Sequence, residues 1–456
     1  MIIQRGGQLE LLDNGRSSQD VVNFVNARRA LLDTGLSLLR KHVQQHQAYV
    51  LVVRNDFPSA ACIVAAAKLQ HVCILLPASR MHLLAYVQQH TGINVLVDAT
   101  NELVQGKMKH VPWIEKHFGK NGGVGMLTSG STGMPKIVAC SWSSMMAQGN
   151  ATQELMFPNC PCRFAVASSI AHAYAINALF AILTSPHGDM SELIMANGMN
   201  ALVPFLSQRV PGKTTVVFGT PGTYLPLVQL TPVKLYADLV YSAGVSMSDS
   251  LKLKLRESFG LNLLQNYGST ETGGIAAEGI IQSDVKLPNH CVGHIWPGAQ
   301  VRIEPLAIGM VCRPGEEGEL VVKTPWQCSG YIENEQVNGI SRDGFYNTND
   351  AGSVVSNHIL MGQRLRAPVC FQHNKLHLFI PRHEIEDAIA THPSITDVLI
   401  PHTSSSAIVI LIVSTLPLDQ LEQHVYKTLP SIPQNIQVRK VDHLFCSPAG
   451  KLIYCL

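Results

Sequence analysis

"AYVLVVRNDFPSAACIVAAAKLQHVCILLP", Ala48 to Pro77, decides the fold class. It opens on a continuous apolar run of strand character, "AYVLVVRN". "PSAACIVAAAKLQ" follows, opening on Pro58 and continuing in helix formers, and "VCILLP" is strand-like again. A strand with one wet face alternates apolar and polar residues, whereas these strands are apolar throughout and so are covered on both faces. Strand, helix, strand in that style predicts a parallel sheet between helical layers.

Outward from that unit the pattern continues. An amphipathic "SRMHLLAYVQQH" leads to a third strand, "INVLVDA". The alternation resumes with "TTVVFG", "ADLVYSAG", the helix-like "MSDSLKLKLRESFG" and "LNLLQNYG". From about Val292 the chain turns to short β-rich pieces, "GHIWPGAQVRI" and "GELVVKT", punctuated by Gly and Pro, which suggests a small barrel or sheet. A last module starts near Gly362 with "HEIEDAIATH", "ITDVLIPH", "SAIVILIV" and a final helix, an α+β pattern. The expected architecture is α/β: a large domain, residues 1–362, of layered parallel sheets plus the β-barrel-like sheet, then a small mobile α+β domain, residues 363–456. Internal repeats and low-complexity tracts are not seen.

Composition narrows the function. With 456 residues, 46% hydrophobic and 14% charged, the chain can bury large cores. A net charge of +2 with no long Lys/Arg run leaves no footprint for nucleic acid or an anionic membrane. Eleven Cys without CxxC spacing speak against a disulfide framework or a zinc site and fit a reducing cytoplasm. The N-terminal "MIIQRGGQLELLDNGR" has no long apolar stretch, so no secretory signal is expected. "FAVASSIAHAYAINALFAILTSP", Phe164 to Pro186, approaches membrane-spanning length but is interrupted by Ser168, Ser169, His172 and Asn177. It reads as a buried strand followed by a buried helix from about His172.

The chemistry lies in four motifs. "MLTSGSTGMPKIV", Met126 to Val138, joins a strand end to a turn whose glycines let backbone N–H groups point inward, with hydroxyls at Thr128, Ser129, Ser131 and Thr132 and a cation at Lys136. The loop suits phosphates, although its GxxGxxK spacing is not that of a P-loop. "NYGSTETGG", Asn266 to Gly274, offers Thr270 and Glu271 at a Gly-rich turn. "DGFYNTNDAG" carries Asp350, and "SPAGKL" carries Lys451.

In this order the four motifs resemble those of the adenylate-forming superfamily of acyl-CoA synthetases, nonribosomal-peptide adenylation domains and luciferases, over roughly the whole chain. The resemblance implies ATP and Mg²⁺ as cofactors. Thr128, Ser129, Gly130, Ser131, Thr132, Gly133 and Lys136 would cover the β- and γ-phosphates. Asn266, Tyr267 and Gly268 would line the nucleotide, with Tyr267 stacked near adenine; Thr270 would meet the α-phosphate and Glu271 would hold the metal. Asp350, helped by Arg364, would bind the ribose hydroxyls, and Lys451 would enter from the mobile domain to stabilise charge on the attacked phosphate. His172, Ala173, Tyr174, Gly244, Val245, Gly273 and Ile275 would form the acyl pocket. His172 has a rival reading as a core histidine.

Three departures from the family pattern carry expectations. Asn349 stands where the family's TGD has Gly. Ala173 stands where amino-acid-activating relatives place Asp, so the acid is expected to be largely apolar and to lack an α-amino group. At the hinge "GQRLR", Gln363 to Arg366, Arg366 replaces the usual Asp or Lys, and Ala367 to Pro381 contains no Gly. That segment reads as two apolar strands, "PVCF" and "LHLFI", joined by a turn at "QHNK". Side chains there would narrow a thiol channel, which favours an acyl or peptidyl carrier protein over coenzyme A as acceptor. An amine or alcohol acceptor and a non-catalytic nucleotide-binding homologue are the alternatives.

Overall fold

The computed structural model describes residues 2–5, 8–11, 24–42, 48–98, 103–106, 111–118, 120–128, 135–224, 226–227, 234–244, 249–279, 290–305, 312–340, 343–364, 369–373, 376–380, 389, 392–400, 408–428 and 436–442. The strand Ala48–Val53 is buried at every position and pairs in parallel with Val72–Pro77 and Leu96–Asp98. Between the first two runs the helix Phe57–Lys68, begun by Asp56, whose Oδ1 accepts from the Ser59 amide at 2.9 Å. Such a cap contributes about 1 kcal/mol.

Two sheets enclose a helical layer. Tyr49, Leu51 and Leu75 of one sheet share a core with Phe164, Val216 and Phe218 of the other, through the helices Phe57–Lys68, Trp142–Met156 and Ala173–Thr184. The alternate residues Val50, Val52 and Ile74 face outward onto Val87, Trp113 and Phe118. Ala165, Val217 and Val240 of the second sheet face outward onto Leu202, Phe205 and Phe259. The layers therefore run helix, sheet, helix, sheet, helix, and both faces of each strand run are apolar for that reason. Phe164 to Pro186 resolves into the end of the strand Cys162–Val166 and the helix Ala173–Thr184. Among the described residues no helix is long and apolar enough to cross a membrane.

The smaller sheet has eight strands, and the hairpin Gly123–Leu127 and Ile137–Ser141 lies between Val72–Pro77 and Gly330–Glu333. The larger has twelve. Its parallel portion runs Glu192–Met195, Cys162–Val166, Thr214–Gly219, Leu239–Ala243, Leu263–Ser269 in space. Antiparallel strands then continue it through Gly273–Ala277, Cys291–Ile295, His358–Arg364, Tyr346–Val355, Gly318–Lys323 and Gln300–Glu304. The β-rich segment after Val292 thus keeps a small core of its own around Ile275, Val292, Leu320 and Ile359, yet it is hydrogen-bonded onto the parallel sheet as its extension. The hairpin at Ser269 to Gly273 supplies the free edge on which it grows.

The strand His358–Arg364 carries this sheet past residue 362. Beyond it, Val369–His373 and Leu376–Ile380 pair antiparallel, Val369 opposite Ile380, as the two apolar runs predict. Ile395–Leu399, Ile408–Ser414 and Ile436–Val441 form a three-stranded sheet with the helix Leu418–Thr428, around Ile389, Ile410, Ile412, Leu421 and Val425.

Candidate functional site

The phosphate-type loop is the tip of a hairpin. Leu127 lies opposite Ile137, and beyond them the Thr128 amide donates to the Lys136 carbonyl at 2.9 Å, closing the base of the loop. Tyr86 Oη donates to the Pro135 carbonyl at 2.7 Å and pins one side of it. Ser129, Gly130, Ser131, Thr132 and Gly133 lie outside the described residues, as do Val245, Arg366 and Lys451.

The turn at Thr270 to Thr272 is built by its own hydroxyls. Ser269 Oγ accepts from the amides of Glu271 at 3.2 Å and Thr272 at 3.1 Å, and Thr272 Oγ1 accepts from the Ser269 amide at 3.3 Å. Gly273 follows at φ 67°, where a Cβ would stand 2.4 Å from Trp326 Cδ1 and 2.5 Å from Gln148 Oε1. A side chain there is both strained and blocked.

Hairpin and turn meet across the two sheets. Cys140 Sγ lies 4.0 Å from the Thr270 carbonyl; the Cys328 amide donates to the Glu271 carbonyl at 2.8 Å and the Ser329 amide to that of Ala139 at 2.8 Å. The next strand, Gly330–Glu333, delivers Tyr331, which motif reading missed. Its hydroxyl donates to Glu271 Oε1 at 3.0 Å, and Lys136 Nζ stands 4.6 Å from its ring centroid. Burial, and then the Glu271 carboxylate, push the Tyr331 hydroxyl far up, so it stays a protonated donor. Glu271 is 8% exposed.

Asp350 is reached from the other motif. Tyr267 Oη donates to Asp350 Oδ2 at 2.9 Å, and Asp350 lies opposite Arg364 between the strands Tyr346–Val355 and His358–Arg364. Asn349 adopts φ 56°, a left-handed conformation that Gly takes freely and Asn more readily than most residues. This accounts for Asn in the place of Gly.

Ala173, at the start of its helix, and His172, which precedes it, open onto a cavity of about 90 Å³ also lined by Tyr174, Gly244, Asn266, Gly268, Thr270 and Gly273. Sequence reading missed Gln148, Thr152, Ser168, Asn177, Phe218 and Trp296, which also line it. Ile275 was expected there. Instead it is fully buried among Ala276, Val292 and Leu320, because it follows Gly274 on a strand and successive side chains face opposite sides. The wall is also less apolar than expected: Thr152 Oγ1, Ser168 Oγ, Tyr174 Oη, Asn177 Oδ1, Asn266 Oδ1 and Trp296 Nε1 are buried without a hydrogen-bond partner among the described residues. No group of three His, Cys, Asp or Glu that could hold a metal occurs among them. Glu271 alone suits a hard divalent cation completed by phosphate oxygens and water.

Residues 124–332 match the family model of AMP-binding enzymes. This part of the chain is similar to AMP-binding enzymes. The matched range starts on the hairpin strand and ends one residue past Tyr331, so the similarity takes in Lys136, His172, Glu271 and Tyr331. Naringenin synthase of Pestalotiopsis fici is 28% identical over 295 residues, covering 60% of this chain and 10% of that protein. Probable 4-coumarate–CoA ligase 2 of Dictyostelium discoideum is 24% identical, covering 66% of this chain and 55% of that one. The match thus spans a tenth and about half of the length of these relatives. ATP-bound MatB from Rhodopseudomonas palustris has the same fold, with a TM-score of 0.68 at 17% identity over 94% of this chain and 91% of that one.

Proposed function

We propose that this chain belongs to an AMP-binding, ATP-dependent ligase that joins a carboxylic acid to AMP, releasing pyrophosphate, and passes the acyl group to a thiol. The observation that carries the reading is Tyr331 holding Lys136 on its ring and Glu271 on its hydroxyl. A cation for phosphate oxygens and a carboxylate for a divalent metal are thereby fixed side by side, next to the wall formed by Thr270.

In this reading Thr128 to Lys136 bind the β- and γ-phosphates, Thr270 the α-phosphate, and Asp350 with Arg364 the ribose. Tyr267 orients Asp350 through their hydrogen bond. Glu271 would hold Mg²⁺, which when bound offsets charge on the phosphate oxygens. His172, Ala173, Tyr174, Gly244 and Gly273 surround the acid. The acid's carboxylate oxygen attacks the α-phosphorus, the bond to the bridging oxygen breaks, and Lys451 steadies the charge that builds there. Residues 363–456 act as a mobile domain turning about Gln363 to Arg366. Eight cysteines among the described residues are free thiols, which supports a reducing, cytoplasmic setting.

For the acceptor, the Gly-free hairpin Val369–His373 and Leu376–Ile380 supports a phosphopantetheinyl carrier protein, whose own surface contributes binding energy for opening the small domain. The name of the Dictyostelium relative supports coenzyme A instead. The test is exchange of labelled pyrophosphate into ATP with a panel of carboxylic acids and Mg²⁺, in wild type and Lys451→Ala. Acid-dependent exchange that falls about 10²–10³-fold in the variant is expected; exchange with no acid requirement would overturn the reading. Thioester mass with coenzyme A against holo carrier protein then decides the acceptor.

A further inference from the structure

The polar lining of the cavity raises its own question. Thr152, Ser168 and Asn177 are 3%, 4% and 6% exposed, and each keeps one side-chain oxygen buried and without a partner among the described residues. A buried polar atom left unpaired costs about 1–3 kcal/mol. Three such atoms in the lining of one cavity therefore imply something that pairs with them. Hydroxyls both donate and accept and an amide does the same through its two ends, so the lining suits a group that can do either.

Charge and size restrict that group further. Among the described residues no Asp, Glu, Lys or Arg lines the cavity, and His172 is the one imidazole there. A charged substituent would be desolvated without a counter-ion, which is costly. A cavity of about 150 Å³ holds benzene. The 90 Å³ available here calls for a compact acyl group. Phe218 supplies an apolar side for its carbon skeleton.

We propose that the acid taken by this site is compact and carries an uncharged hydrogen-bonding substituent, a hydroxyl foremost, bound by Thr152, Ser168 and Asn177. The proposal rests on the adenylation reading and narrows its substrate. A site built to pair with a hydroxyl discriminates strongly against the analogue that lacks it, because its own polar groups are then left unpaired.

The experiment compares matched acids, propanoate with 3-hydroxypropanoate and butanoate with 3-hydroxybutanoate, by pyrophosphate exchange and by ligand-induced thermal shift. It uses wild type and the double variant Thr152→Val, Ser168→Ala, whose fold is checked by circular dichroism. Expected is a preference of about a hundredfold or more in kcat/KM for a hydroxylated member, collapsing toward unity in the variant. Equal or better exchange with the apolar members overturns the proposal and leaves adenylation standing. If no acid supports exchange, adenylation falls, and the thermal shift decides the cavity. Stabilisation by a hydroxylated acid alone, lost in the variant, supports the proposal; equal stabilisation by both members, or by neither, overturns it. If the variant keeps the wild-type preference, ordered water pairs with this lining and the proposal is wrong.

Discussion

Tyr331 couples Lys136 to Glu271: its hydroxyl donates to the carboxylate at 3.0 Å while the ammonium stands 4.6 Å from its ring. One side chain on the smaller sheet thus holds a carboxylate of the larger sheet and a cation of the hairpin. Tyr331→Phe keeps the ring and removes the donor. Because hydrogen bonds to charged groups contribute about 1.5–3 kcal/mol, acid-dependent exchange should fall roughly ten- to a hundredfold. The apparent requirement for Mg²⁺ should rise with it, and a magnesium titration that leaves the midpoint unmoved would assign Tyr331 to packing alone.

Asn349, at φ 56°, precedes the carboxylate that Tyr267 holds. Asn349→Gly should preserve stability and nucleotide affinity. Asn349→Val places a β-branched residue in the left-handed region at about 1–2 kcal/mol, lowering the thermal midpoint by a few degrees and weakening AMP binding. Calorimetry on the two variants separates backbone strain from loss of the Asn side chain.

Arg163 is 1% exposed. It bonds Glu192 at 3.3 Å and the carbonyls of Gln208 at 2.6 Å and Phe205 at 3.3 Å, with its guanidinium 4.1 Å from the Phe205 ring centroid. Arg163→Met leaves both carbonyls unpaired and Glu192 to Lys213 alone. The expected loss is about 3–5 kcal/mol in urea unfolding; a loss below about 1 kcal/mol would mean that water replaces the guanidinium.

Burial, with Asp56 adding, pushes the Cys62 thiol up to about 12, and burial with Glu271 does the same for Cys328. Iodoacetamide at about pH 8 should therefore leave both unmodified in the folded protein, since the thiolate is the reactive form. Of the eight free cysteines among the described residues, the half-buried Cys160 and Cys312 should react first, as peptide mapping would read. The pH dependence has a defined sign. A pKa raised in the folded state stabilises fully below the unfolded value of about 8.5, and that contribution is lost as pH rises through the folded value. Unfolding midpoints should accordingly fall above about pH 8.5.

The layered fold was legible because strands buried on both faces leave unbroken apolar runs such as "VLVV" and "CILL". The continuity of the larger sheet was not, since it depends on Cys291–Ile295 pairing with a hairpin edge formed elsewhere in the chain. Glu271 and Asp350 could be located by motif and meet tyrosines as partners. Tyr331 carries no motif signal; it sits in "SGYIENEQ", an ordinary strand and turn. Thr152 and Asn177 were hidden for a different reason: one lies on the buried face of its helix and the other inside a buried helix, where a lone polar residue passes as tolerated core. Ile275 was placed on the wrong side, although period-two alternation from Gly274 was available to correct it.

The seam between hairpin and turn has a kinetic consequence. Thr270 meets Cys140 across 130 residues of chain, Asp350 meets Tyr267 across 83, and Glu271 meets Tyr331 across 60. Each contact closes a long loop, and chains dominated by such pairings fold slowly because entropy is lost before contacts return it. Helices and the Ala48 to Pro77 unit need no such closure. On dilution from denaturant, secondary structure should thus return ahead of the contacts among Lys136, Glu271 and Tyr331, and the protein passes through a stage that is largely folded with that cluster still open.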